Sequence, residues 1–216
     1  MVRLPGGGCT LQLWCHWFMQ FNHDNMSGVR LAEALVNMLI EDTWGIPILQ
    51  ELLTDHLFRS PEVKSESEKE LREWTEKLRA VFEADGEEAR CATINTLLAE
   101  GVRRVYLTTH DGMHPHLHFA EASDRLIERV RAVTAGGLAI FMTEAAGGRL
   151  GACARDGCSR VFADTSRGGR RAYCSARCGN ADAVHRYRNR HRGAAAVSDA
   201  GRSAGPGQAS YTSGQG

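Results

Sequence analysis

Four cysteines near the C-terminal end fall into two close pairs, Cys153-x4-Cys158 and Cys174-x3-Cys178, with fifteen residues between them. Thiolates in this pattern can close a tetrahedron around one Zn²⁺ at about 2.3 Å per sulfur, with no position left for water, so the ion is structural rather than catalytic. Disulfides are the competing explanation for clustered cysteines. The total of seven is odd, however, and Cys9, Cys15 and Cys91 are scattered outside the quartet. That usage fits a reducing cytoplasm, where thiolates stay available to a metal.

The charge distribution points to a partner for this module. The chain is neutral overall, but residues 1–150 carry 15 Lys+Arg against 22 Asp+Glu, whereas residues 151–216 carry 11 against 4, and every basic residue in the second set is arginine. The planar guanidinium fork matches phosphate oxygens and guanine edges, which lysine meets only as a point charge. Arg167, Arg170, Arg171, Arg177, Arg186, Arg188 and Arg190 are the candidate nucleic-acid contacts, with Asn180 beside them. The competing use of these arginines is to complement the helix macrodipole and the acidic N-terminal part.

A second cluster is His114-Pro115-His116-Leu117-His118. On a strand the three imidazoles face the same way and could bind a metal or a polar ligand. Pro115 favours an edge strand whose exposed face is simply polar, which is the preferred reading.

The elements that must position these residues are mostly helical. Val29, Ala32, Leu35, Val36, Leu39 and Ile40 line one face of a first helix, and Pro47 fixes the first turn of a second that runs toward Phe58. In the acidic stretch 62–88, Ser65 and Glu68 form a capping-box pattern ahead of Leu71, Trp74, Leu78, Val81 and Phe82. A helix carrying Cys91, Ile94, Leu97 and Leu98 reaches Gly101, a natural left-handed cap. Residues 102–109 and 114–119 suggest a hairpin turning at Asp111-Gly112. A long helix follows from about Ser123, with Gly136-Gly137 as a place to kink. The stretch 9–19 is apolar in part, but Gln12 and His16 interrupt it and it is too short to span a bilayer, so no membrane association is expected.

Residues 150–153 and 160–163 read as short strands flanking the first cysteine pair, with Phe162 as the apolar plug. Ser175 can cap a helix from about Ala176 to Arg192. Together these describe a treble-clef-like finger, in which zinc replaces a core that some forty residues cannot supply. From Gly193 onward, Gly, Ala, Ser and Gln leave almost nothing to bury, which predicts disorder. The expected fold class is therefore mainly α (α+β): an extension over 1–20, a helical domain with a small β-hairpin over 21–148, a four-cysteine finger over 149–192, and a disordered tail over 193–216.

The run Cys153…Cys158-x3-Phe162-x-Asp164-Thr165-Ser166-Arg167…Arg171-x-Tyr173-Cys174-Ser175…Cys178-Gly179-Asn180 resembles the CGNR zinc finger. The preceding region, especially Asn22-His23-Asp24, the 31–39 helix and the His114–His118 row, looks like the ABATE domain found with it. The resemblance covers about residues 20 to 192. It implies a bacterial, stress-linked transcription regulator whose finger binds duplex DNA and whose N-terminal domain answers to a small-molecule or protein effector. One position departs from the signature: Ala181 stands where the family has arginine, which removes one potential contact.

The leading expectation is a cytoplasmic DNA-binding regulator that is not an enzyme and holds one structural zinc; a homodimer formed through the N-terminal domain would supply avidity, though no coiled-coil heptads announce one. The alternative is an RNA-binding or protein-interaction module on the same zinc scaffold. A catalytic reading, with Asn180, His185 and His191 as a nuclease centre, lacks a definable acid/base pair or open metal position.

Overall fold

The computed structural model describes residues 23–56, 61–109, 115–144, 149–166 and 168–202. Its helices are α1 (His23–Ile40), α2 (Ile46–Asp55), α3 (Ser65–Glu83), α4 (Gly86–Gly101), α5 (Leu126–Glu144) and α6 (Ala176–Arg202). The strands β1 (Tyr106–Thr108) and β2 (His116–His118) pair antiparallel, as do β3 (Leu150–Ala152) and β4 (Val161–Ala163). The mainly α class with small β elements is as expected. The expected extension over 1–20 and the Asp111-Gly112 turn lie outside the described residues.

The apolar stripe of α1 packs against α5, α3 and β4, and α4 closes the other side of α5 and α3. Leu31, Leu35, Leu71, Trp74, Leu78, Phe82, Leu138 and Phe141 are almost fully buried at the centre. Trp74 and Thr134 satisfy each other inside this core, as burial requires: the Trp74 indole N–H donates to Thr134 Oγ1 at 3.0 Å, and that hydroxyl donates to the Val130 carbonyl at 2.7 Å. Among the described residues no helix is long and apolar enough to cross a membrane.

Several local expectations are corrected. The Ser65/Glu68 capping box does not form: the N-cap is Lys64, with no side-chain cap. The Glu68 carboxylate instead accepts the Trp44 indole N–H and pairs with Arg72 at 3.6 Å, so tertiary and next-turn partners outcompete the cap. Gly101 is not left-handed but the last residue of α4, followed by Val102 at φ −107°. A Cβ there would lie 3.0 Å from the Trp74 ring and 3.2 Å from the Arg131 carbonyl, so a close helix contact, not turn geometry, explains the glycine. Gly136 and Gly137 sit in a continuous α5, where they admit the Phe119 ring and the backbone of α1. Helix α6 continues to Arg202, ten residues past its expected end. Alanine-rich sequence is helix-favouring even with nothing to bury, which a search for large apolar residues overlooks. The remainder of the expected tail, 203–216, lies outside the described residues.

The β3–β4 hairpin, expected to belong to a separate finger, is part of the helical core. Leu150, Val161 and Ala163 are buried with the α1 and α3 side chains, while Phe162, one residue out of phase, is buried outside that cluster, against Arg171. Asn37 of α1 fastens the junction. Its Nδ2 donates to the Val161 carbonyl at 3.0 Å, and its Oδ1 accepts the Val161 N–H at 2.9 Å, as a neighbouring strand would. Asn37→Leu leaves both backbone groups buried without partners, at about 1–3 kcal/mol each. Urea denaturation is expected to show a loss of about 2–4 kcal/mol; a loss below about 0.5 kcal/mol would mean that this junction carries no weight.

Candidate metal centre

Each cysteine reaches the site from a different piece of local geometry. Cys153 follows β3 and Cys158 closes the knuckle Cys153–Cys158, whose turn needs Gly157 at φ +74°, a conformation that L side chains rarely adopt. The turn is held by the Cys153 N–H donating to the Arg160 carbonyl at 2.8 Å and the Cys158 N–H donating to the Arg155 carbonyl at 3.1 Å. Cys174 precedes α6 and Cys178 lies in its first turn. As expected, Ser175 caps that turn, its Oγ accepting the Cys178 N–H at 3.2 Å.

The four Sγ atoms all lie within 4.8 Å of one another, with Cys158–Cys174 and Cys158–Cys178 at 3.8 Å and Cys174–Cys178 at 3.5 Å. Sulfurs at 2.3 Å from a tetrahedral zinc stand about 3.8 Å apart, whereas a disulfide needs about 2.05 Å, so the spacing fits the metal and not a bridge. Cys153 and Cys178 are buried and the other two half-buried. The Ser175 hydroxyl, then the Arg155 guanidinium 3.8 Å away, lower the Cys178 thiol to about 6, while burial pushes Cys174 up to about 12. Without the cation four adjacent thiolates repel one another; zinc is what lets them ionise together.

A second layer of contacts stiffens the centre. Buried Asp164 accepts the Ser166 and Arg171 N–H groups at 2.8 Å each. Burial opposes its ionisation, but these hydrogen bonds and the Arg149 charge outweigh that and hold its carboxyl below the usual range. Arg171 lies over the Phe162 ring at 5.0 Å, and its guanidinium donates to the Tyr173 and Cys174 carbonyls. The Tyr173 hydroxyl donates to Asp182 at 2.7 Å, and its ring crosses α6 so closely that a Cβ on Gly179 would sit 3.3 Å from it. That contact accounts for the glycine between Cys178 and Asn180.

The candidate nucleic-acid residues are spread unevenly around this scaffold. Arg177, Asn180, Arg188 and Arg190 of α6 and Arg170 before it are exposed, and none of those five takes part in an ion pair among the described residues. Arg186 is exposed but paired with Asp182 at 2.9 Å, and Arg171 is committed to the carbonyls just named. Arg167 lies outside the described residues. Sequence reasoning missed Arg155, Asn37 and the anchoring role of Asp164; only the last had a visible signal, the Asp-x-Ser spacing of an Asx turn.

The histidine row is only partly assembled. His116 and His118 share a face, their Nε2 atoms 2.9 Å apart, so one ring donates to the other, while His114 lies outside the described residues. The expected exposed polar face is corrected: His116 is buried, and Leu107 and Leu117 are the exposed pair on the opposite face. His118 Nδ1 lies 3.5 Å from the Tyr106 hydroxyl, which donates to the Ala120 carbonyl at 3.2 Å. Among the described residues the four cysteines are the one cluster of three or more metal-ligating side chains.

A knuckle between two short strands, a second cysteine pair entering a helix, and a closed sulfur tetrahedron define a treble-clef-like structural zinc finger. Residues 149–191 match the family model of the CGNR zinc finger, a span of less than half the chain. No curated protein matches the chain.

Proposed function

We propose that the protein is a cytoplasmic, DNA-binding transcription regulator of the stress-linked kind, without catalytic activity, in which the zinc finger holds α6 against duplex DNA. The observation that carries this reading is the placement of α6. Its first turn is bolted to the metal centre by Cys178, and every side chain from Ala183 to His191 is exposed. Arg177 and Arg188, three turns apart, share a stripe with Ala181 and Val184 between them, while Arg186 and Arg190 fall on the other side. A helix of this width enters the major groove, with arginines left to meet the phosphates of both flanks. The helical region, which resembles the ABATE domain, is the effector-responsive half, and a homodimer would add avidity.

Fluorescence anisotropy of the zinc-loaded protein on random duplex DNA tests the proposal. Four to six phosphate contacts give a log–log salt slope of roughly −4 to −5. Replacing Arg177 and Arg188 together by Ala is expected to flatten that slope by about 1.8. Absence of binding at low salt would overturn the reading. One observation favours RNA as a second reading: Tyr187 is exposed, its ring tilted against His191 with centroids 4.2 Å apart, and an exposed aromatic face suits an unpaired base. Competition between duplex DNA and structured RNA separates the two.

A further inference from the structure

A cleft of about 440 Å³ opens where the end of α2 and the polar stripe of α1 meet the start of β4. Its volume falls within the roughly 300–1,000 Å³ of small-molecule sites, but its walls are charged rather than apolar, so it suits a small polar ligand. Arg30 and Glu33 lie one turn apart on α1, where opposite charges normally close on each other. Here they do not: among the described residues no ion pair links them and no carboxylate pairs with Arg30, which is exposed and lines the cleft. Half-buried Glu33 spends one oxygen, Oε2, on the Ala163 N–H at 3.2 Å, and its other oxygen takes no hydrogen bond among the described residues. Burial raises the Glu33 carboxyl, against the Ala163 N–H and the charges of Arg171, Arg30 and Arg160, as for a carboxylate that lacks a full cationic partner. Across the cleft Arg160 is held by Glu41, and burial keeps His56 toward its neutral form.

We propose that this cleft binds a free α-amino acid as its zwitterion, with the ligand carboxylate on Arg30 and its ammonium on Glu33. The two charges of such a ligand are separated by one carbon, which fits side chains about 5–6 Å apart at Cβ with a ligand bridging them. The site also has a route to the finger. Glu33, Asn37 and Glu41, the same stripe that lines the cleft, hold Ala163, Val161 and Arg160 of the hairpin. Occupancy is thus placed to bias the finger, which deepens the regulatory reading above and rests on it. Binding itself does not.

The test is thermal unfolding of the full-length, zinc-loaded protein with each of the twenty common L-amino acids at 10 mM, alongside the N-acetyl and amide derivatives of any that respond. At about ten times its Kd a ligand is expected to raise Tm by roughly 3–5 °C. The derivatives should give no shift, and Arg30→Gln and Glu33→Gln should each abolish the response while keeping the ligand-free Tm, since glutamine still accepts the Ala163 N–H. No response from any of the twenty, an equal response to an N-acetyl derivative, or full responses from both variants would overturn the proposal. Because no DNA is present, these results are independent of the anisotropy experiment: either reading can fail while the other stands.

Discussion

Chelating zinc from the full-length protein is expected to lower the melting temperature of the whole molecule by about 10 °C, not merely to release the finger. The cysteine segment has little apolar material of its own beyond Phe162, so without the metal its four thiols lose the interaction that orders them. The loss then spreads through β4. Leu150 and Val161 are buried in the helical core, and burying an aliphatic side chain of that size contributes about 1.5–3 kcal/mol. Forfeiting both costs about 3–6 kcal/mol, and a chain of this length shifts by roughly 2–4 °C per kcal/mol. Cys174→Ser should behave like chelation, with bound zinc falling from one ion per chain to none by metal analysis. If zinc leaves and the segment 153–178 becomes protease-sensitive while Tm holds, the finger and the helices are independent units. If neither Tm nor circular dichroism responds, the metal is not what holds the finger together.

This coupling is the part of the molecule that the sequence hid. The finger was readable because its geometry is local: two cysteine pairs, a glycine in the knuckle and a serine cap specify it within a few residues of each ligand, and the ion stands in for long-range packing. Helices α1, α3 and α5 were readable from their apolar period. What binds them to the hairpin is a contact between Asn37 and Val161, 124 residues apart, and nothing in an isolated asparagine on a helix announces a strand as its partner. The same limit explains the misread glycines. Gly101 and Gly136 look like a terminator and a kink when only neighbours along the chain are considered, but the Trp74 and Phe119 rings that occupy their missing side-chain positions come from elsewhere. The arginines illustrate a different limit: composition marked the C-terminal segment as basic, yet Arg171 and Arg155 are committed to carbonyls and a cysteine sulfur, leaving α6 and Arg170 before it to supply the available charge.

The most damaging conservative substitution in the helical core is expected to be Gly28→Ala. A methyl group there would stand 2.2 Å from the Val133 carbonyl oxygen and 3.2 Å from the Gly137 Cα, and a Cβ on Gly137 would in turn lie 2.9 Å from the Gly28 Cα. The opposing atoms are backbone on both sides, so no rotamer change relieves the clash, and α1 must retreat from α5 along their shared interface. Alanine gains about 1 kcal/mol over glycine in helix propensity, which the displacement has to exceed. Overpacking in a close-packed core typically costs 1–3 kcal/mol where side chains can adjust. Where they cannot, and where α1 also carries the clamp on Val161, a net loss of about 3 kcal/mol or more is expected, seen as a fall in Tm of roughly 6–12 °C. Gly45→Ala is the control. Its Cβ meets only Pro47 Cδ at 4.0 Å and its backbone is extended at φ −178°, open to any residue, so its Tm should match the parent within about 1–2 °C. Equal effects at both positions would show that the crossing of α1 over α5 is looser than the Gly28–Gly137 contact requires. A large loss at Gly28 alone, accompanied by faster zinc release, would trace the path from the helix crossing through Asn37 to the metal.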